Sequence, residues 1–130
     1  MNGNESFLFD TNIIIAILNQ ESAVEARLKG QQGYVAAISV GELYYGAYKS
    51  GRISDNIQRL ERLLVDYALL ACDRGTAQIY GQIKLQLKSK GRPIPENDIW
   101  IAAIARQYDL TLVTRDEHFA EIDGLKTEAW

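Results

Sequence analysis

Cysteine and histidine each occur once in this sequence, and proline only twice. A single thiol, Cys72, cannot close an internal disulfide, and so few sulfur and imidazole donors leave no Cys/His cluster of the kind that holds zinc. Cys72 ends the apolar run Ala68-Leu69-Leu70-Ala71-Cys72, where its expected part is that of a small buried hydrophobe without chemistry. No apolar run approaches the length that crosses a bilayer. The opening residues Met1-Asn2-Gly3-Asn4-Glu5-Ser6 carry neither a basic cluster nor an apolar stretch of signal length. The expectation is a cytoplasmic protein with no membrane association. Positive charge is short as well, and a net charge of -3 argues against a protein that grips nucleic acid mainly through a global basic field. It does not exclude a nuclease, because acids gathered around bound cations make such an enzyme look less basic than its substrate-facing surface is. Pro/Gly/Ser-rich stretches, charge blocks and fixed-period repeats are missing too, so neither linkers nor a solenoid are indicated.

What is there is a chain of 130 residues, 47% of them hydrophobic, which is enough to build one domain over residues 1–130 around its own core. Phe7-Leu8-Phe9 reads as a short buried strand, and Ile13 to Leu18 as the helix that follows. Ser22 to Gly30 has helical spacing, and Tyr34 to Ile38 reads as a second strand. From Ser39, with Val40, Leu43, Tyr44 and Ala47 on one face, a helix runs to the break at Ser50-Gly51. Ile53, Ile57, Leu60 and Leu64 recur at helical spacing, making a helical hairpin. Ala68 to Cys72 is the third strand, Asp73 an N-cap, and Thr76 to Lys88 another helix. Gly91-Arg92-Pro93-Ile94-Pro95 leads into a helix whose first turn carries Glu96 and Asp98. Leu110 to Val113 is a fourth strand, Asp116 to Ala120 a short helical turn, and Leu125 to Trp130 a last edge strand. Alternating strands and helices imply an α/β fold, a three-layer α/β/α sandwich with a mostly parallel central sheet.

Four acids stand at corresponding places in this layout. Asp10 follows strand one, Glu42 follows strand two, Asp116 follows strand four, and Asp98 opens a helix. In open α/β sheets the carboxyl ends of the strands are where ligands bind. Carboxylates packed together repel unless something positive satisfies them, and an all-oxygen set points to Mg²⁺ or Mn²⁺ rather than zinc. Such a site can activate water and stabilise the leaving oxygen of a phosphodiester. Each acid also has a plainer reading. Asp10 and Asp116 fit N-caps, Ser39-Val40-Gly41-Glu42 fits a capping box, and Asp98 fits a helix dipole.

Phe9-Asp10-Thr11-Asn12, Ser39-Val40-Gly41-Glu42-Leu43-Tyr44-Tyr45-Gly46, Pro95-Glu96-Asn97-Asp98-Ile99-Trp100-Ile101-Ala102-Ala103 and Leu112-Val113-Thr114-Arg115-Asp116-Glu117-His118-Phe119 together resemble the PIN domain, and within it the VapC-type toxins of toxin-antitoxin pairs. The resemblance spans nearly the whole chain. It implies a Rossmann-like sandwich, a Mg²⁺- or Mn²⁺-dependent endoribonuclease that cleaves RNA with an activated water, a homodimer, and a small antitoxin as partner. Asp10, Asp98 and Asp116 would hold the metal, Glu42 would bind or orient the water, and Thr11, Asn12 and Thr114 would support the acids by hydrogen bonds.

Around this set, Arg115 is a candidate phosphate contact, and Lys84 and Lys88, one helical turn apart, a candidate track for an RNA backbone. A solvated helix face is the competing reading for the lysines. His118 is expected to face solvent or pack rather than catalyse. Tyr44, Tyr45 and Tyr48 exceed what one hairpin must bury, which leaves part of that face for the antitoxin. Trp100 is expected in the core or at a dimer contact. The alternative functions are a receiver domain, which lacks its phosphoacceptor placement here, a phosphatase, which would want D-x-D where Asp10-Thr11-Asn12 stands, and a non-catalytic nucleic-acid or protein binding module with a Mg²⁺ site.

Overall fold

The short apolar segment Phe7-Leu8-Phe9 becomes the central strand of the sheet. A computed structural model describes residues 6–130; residues 1–5, read above as carrying no leader, lie outside the described residues. Strand β1 (Ser6–Phe9) buries Phe7, Leu8 and Phe9, as a strand covered on both faces must. Asp10 then caps α1 (Thr11–Leu18) by accepting the Thr11 N–H, which fixes the turn from strand to helix. Next come α2 (Ser22–Leu28), β2 (Gln32–Ala36), the hairpin α3 (Ala37–Tyr48) and α4 (Ile53–Leu64), and the short β3 (Ala68–Leu70).

The long α5 (Arg74–Lys90) starts in a capping box between Asp73 and Thr76 and stops at Gly91, whose φ of 66° lets its N–H reach back to the Leu87 and Lys88 carbonyls. The remaining elements are α6 (Glu96–Gln107), β4 (Thr111–Val113), a 3-10 turn over Glu117–Glu121, and β5 (Thr127–Glu128).

The sheet runs β3-β2-β1-β4-β5, and every pairing among the described residues is parallel. Alternation along the strands divides the core in two. Leu8, Leu112 and Ala36 join Ile83, Leu87, Ile101 and Ile104 of α5 and α6 on one face. Phe7, Phe9, Val35 and Val113 join Ile13, Ile14, Val24 and Val40 on the other. Helices therefore cover both faces of the sheet, the three-layer arrangement read from the sequence. From β1 the chain order runs outward to β2 and β3 on one side and to β4 and β5 on the other. The carboxyl ends of β1 and β4 thus form the switch point of the sheet.

Some boundaries differ from the sequence reading. The second strand ends at Ala36 rather than Ile38, because α3 begins at once with Ala37. The capping box at Ser39 does not form: Ala36 occupies the cap position without a side-chain bond, and the buried Ser39 hydroxyl has no partner. The third strand stops at Leu70, leaving Cys72 exposed rather than buried. The reason is position: β3 is an outer strand, and its Leu69 is itself exposed. Trp100 is half-buried, stacked on Tyr80 with ring centroids 4.0 Å apart. Tyr45 and Tyr48 are exposed on α3, in line with the surplus expected there.

Candidate active site

The four predicted acids, drawn from segments far apart in sequence, reach one cavity of about 640 Å³ at the switch point. Asp10 lies deepest, with only 2% of its surface exposed. Its backbone N–H is tied to the Val113 carbonyl of the neighbouring strand at 3.0 Å. Its side chain is equally fixed. One oxygen accepts the Thr11 N–H at 2.9 Å, and the other accepts the Thr114 hydroxyl at 2.7 Å and the Asn12 amide at 3.4 Å.

The Thr114 oxygen in turn accepts the Asp116 N–H at 3.0 Å, and the Asn12 carbonyl oxygen accepts the Arg115 N–H at 3.3 Å. Two short side chains thereby lock the β1 loop to the β4 loop and set the spacing of Asp10 and Asp116. Glu42, in the second turn of α3, accepts the Thr11 hydroxyl at 2.8 Å. Thr11, Asn12 and Thr114 thus each donate a side-chain hydrogen bond to one of these acids.

Asp98 stands in the first turn of α6, partly buried, with Oδ2 2.7 Å from Nε2 of His118. His118 does not simply face solvent or pack against the core: its ring lines the cavity, and its nitrogen lies close to oxygens of both Asp98 and Asp116, the three ligand atoms all within 4.8 Å of one another. The sequence signal for this was its spacing two residues after Asp116. The 3-10 turn that aims it is too short to announce itself in hydrophobic periodicity. One acid outside the predicted four, Glu96, also lines the cavity, held at 2.9 Å by Lys84 and bonded by the Tyr80 hydroxyl.

Electrostatics follow from this crowding. Burial pushes the Asp10 carboxyl up, bonds from Thr114 and Thr11 pull it back, and the charges of Asp98 and Asp116 push again, leaving it above the ordinary range. Burial likewise raises Asp98, opposed by His118 and reinforced by Asp116 and Glu42. Asp10, Glu42, Glu96, Asp98 and Asp116 all line the cavity, yet no lysine or arginine does. Hard oxygen donors, of which only Glu96 is paired with a lysine or arginine among the described residues, make with one imidazole a donor set suited to a divalent cation.

Two of the three predicted phosphate contacts are already engaged. Arg115 pairs with Glu21 at 2.8 Å and bonds the Trp130 carbonyl, and it lines a neighbouring cleft rather than the acid cavity. Lys84 pairs with Glu96, and Lys88 is exposed one turn further along α5.

Comparison with known proteins agrees with this layout. The PIN domain family matches residues 7–125. Ribonuclease VapC2 of Haemophilus influenzae is 37% identical over 128 residues, covering 95% of this chain and 97% of that protein. The tRNA(fMet)-specific endonuclease VapC of Shigella flexneri is 35% identical over the same length, with the same coverage. Among solved structures, VapBC2 from Rickettsia felis bound to a DNA fragment from their promoter superposes with a TM-score of 0.91 at 27% identity, covering 96% of this chain and 98% of that one.

Proposed function

Because the chain belongs to the PIN-domain family, and within it to the VapC ribonucleases, we propose that it is a divalent-metal-dependent endoribonuclease and the toxin of a toxin-antitoxin pair. The observation that carries the mechanism is the cavity itself, where acids from separate segments converge with no lysine or arginine on its lining among the described residues. Asp10, Asp98 and Asp116 hold the cation, Mg²⁺ or Mn²⁺, and Glu42 binds or orients the attacking water. When bound, such an ion supplies a hydrolytic nucleophile at neutral pH and neutralises charge developing on the phosphate.

The protein's own contribution is preorganisation. Thr114 and Asn12 hold Asp10 aimed into the cavity, the Thr114 bond partly offsetting the rise in pKa that burial causes, and Thr11 keeps Glu42 turned toward the cavity. A cleft of about 910 Å³ adjoins the site through Thr114, Asp116 and His118, which gives an RNA strand room to lie across it. Arg115, on the wall of that cleft, contacts phosphate by giving up Glu21, while Lys84, paired with Glu96 at the acid cavity, and Lys88 one turn further along α5 supply a track for the RNA backbone. The working form is a cytoplasmic homodimer bound by a small antitoxin, which covers the exposed Tyr45 and Tyr48 of the hairpin. No described helix is long and apolar enough to cross a membrane.

The test is cleavage of RNA by wild type, Asp10→Asn and Asp98→Asn, each supplied with Mn²⁺ or Mg²⁺ or stripped by chelator. Wild type should cut only with metal, and both variants should fall by at least about a hundredfold. Equal cleavage by all three, or cleavage indifferent to chelator, rejects the reading, and an inert wild type that still binds RNA favours a non-catalytic binding module.

A further inference from the structure

The histidine in the cavity is the one donor there that is not an oxygen, and its surroundings make it more than a bystander. Its side chain is about one-third exposed, that of Asp98 half as much. Its neighbour Phe119 is buried at 1% exposure and sits 4.9 Å from the imidazole, centroid to centroid, which anchors the 3-10 turn and limits where the imidazole can swing. The Asp98–His118 separation of 2.7 Å is close to the roughly 3 Å between adjacent ligands of a six-coordinate ion with bonds of about 2.1 Å. A ring nitrogen of His118 and carboxylate oxygens of Asp98 and Asp116 all lie within 4.8 Å of one another, which adds the imidazole to the acids already gathered around Asp10.

We propose that His118 is a direct metal ligand, completing a site with Asp98 and Asp116, and that its nitrogen makes this cavity select Mn²⁺ over Mg²⁺. The inference rests on the reading of the acid cavity as a cation site and adds a donor to it. The chemistry behind the selectivity is general. Mg²⁺ holds to oxygen ligands and gives up water reluctantly, whereas Mn²⁺ accepts a neutral imidazole, so replacing one oxygen by nitrogen shifts preference toward the transition metal. The same nitrogen lies 2.7 Å from Asp98 Oδ2, a contact that keeps both donors in place for the ion. The two roles exchange rather than conflict: entry of the cation replaces one hydrogen bond by two metal bonds and releases a proton from any protonated donor.

The experiment measures binding, not turnover. Metal-free wild type, His118→Ala, His118→Gln and Asp98→Asn are titrated with Mn²⁺ and with Mg²⁺ by calorimetry, and the Mn²⁺-loaded proteins are examined by pulsed EPR for coupling to a ligand ¹⁴N. Wild type should show the nitrogen coupling. Both His118 variants should lose it together with at least about tenfold of Mn²⁺ affinity, while Mg²⁺ affinity changes by less than about threefold. Absence of nitrogen coupling in the wild type overturns the assignment, and so does an equal loss of both metals in the variants, which would make His118 only a positioning partner of Asp98. The underlying reading fails separately, if wild type binds neither ion or if Asp98→Asn binds both as well as wild type does.

Discussion

Thr114 carries more than its size suggests, because one hydroxyl serves two acids. It donates to Asp10 and accepts from the Asp116 backbone. Thr114→Val keeps the volume and removes both bonds, so metal affinity or cleavage should fall by about 10- to 100-fold, and Thr114→Ser should recover most of the loss. Unchanged cleavage by the valine variant would show that the hydroxyl does not support the site. The acids themselves make a pH argument. Asp10 and Asp98 are held above the ordinary carboxylate range, chiefly by burial. The metal-free folded protein therefore retains protons the unfolded chain has shed, and these two groups make it less stable as pH rises from the ordinary carboxylate pKa through the raised ones. Glu21, Asp73 and Glu96 shift the other way, so the effect is read by difference. In thermal unfolding without metal, Asp10→Asn should gain on wild type as pH rises through that window, and added Mn²⁺ should close the gap. A gap that narrows with rising pH would contradict the crowding.

At the scale of elements, the contact between β1 and β2 is tight where it supports the site. A methyl group added at Gly33 of β2 would stand 2.2 Å from a ring carbon of Phe9 and 3.1 Å from Tyr67. Phe9 is fully buried, packed edge-on against Tyr67 and tilted against Trp130, and it directly precedes Asp10. Gly33→Ala should therefore cost about 1–3 kcal/mol in chemical denaturation, with a loss of activity beyond the fraction unfolded. A variant as stable as wild type would mean the ring can yield. The elements also explain what was readable in advance. Apolar strands bounded by polar turns, with acids past a strand end or in the opening turns of a helix, are local patterns, so that together with the family resemblance Asp10, Glu42, Asp98 and Asp116 could be named as candidates from the sequence. The start of α3 could not, since Ala37 and Ile38 suit strand and helix alike, and the helix won by burying Ser39 and Val40.

For the whole molecule, the layering was legible because alternation and helix spacing agree along the chain. What stayed hidden depends on contacts between distant segments. Arg115 meets Glu21 across 94 positions, His118 meets Asp98 from a turn with no periodic signature, and Cys72 is exposed because β3 is the outermost strand. A net charge of -3 likewise conceals how the charge is arranged, with acids concentrated in one cavity while Lys84, Lys88 and Arg92 lie outside it.

Asp10 hangs from the central strand, between two halves of the core, with its amide hydrogen-bonded to the strand beside it. Its neighbours in the cavity ride on outer helices and a surface turn. Local breathing can loosen Glu42, Asp98 or His118, but displacing Asp10 requires dismantling the sheet. Anything that silences the site without unfolding the protein must therefore act on the peripheral side chains, with the innermost carboxylate as the fixed point around which they close.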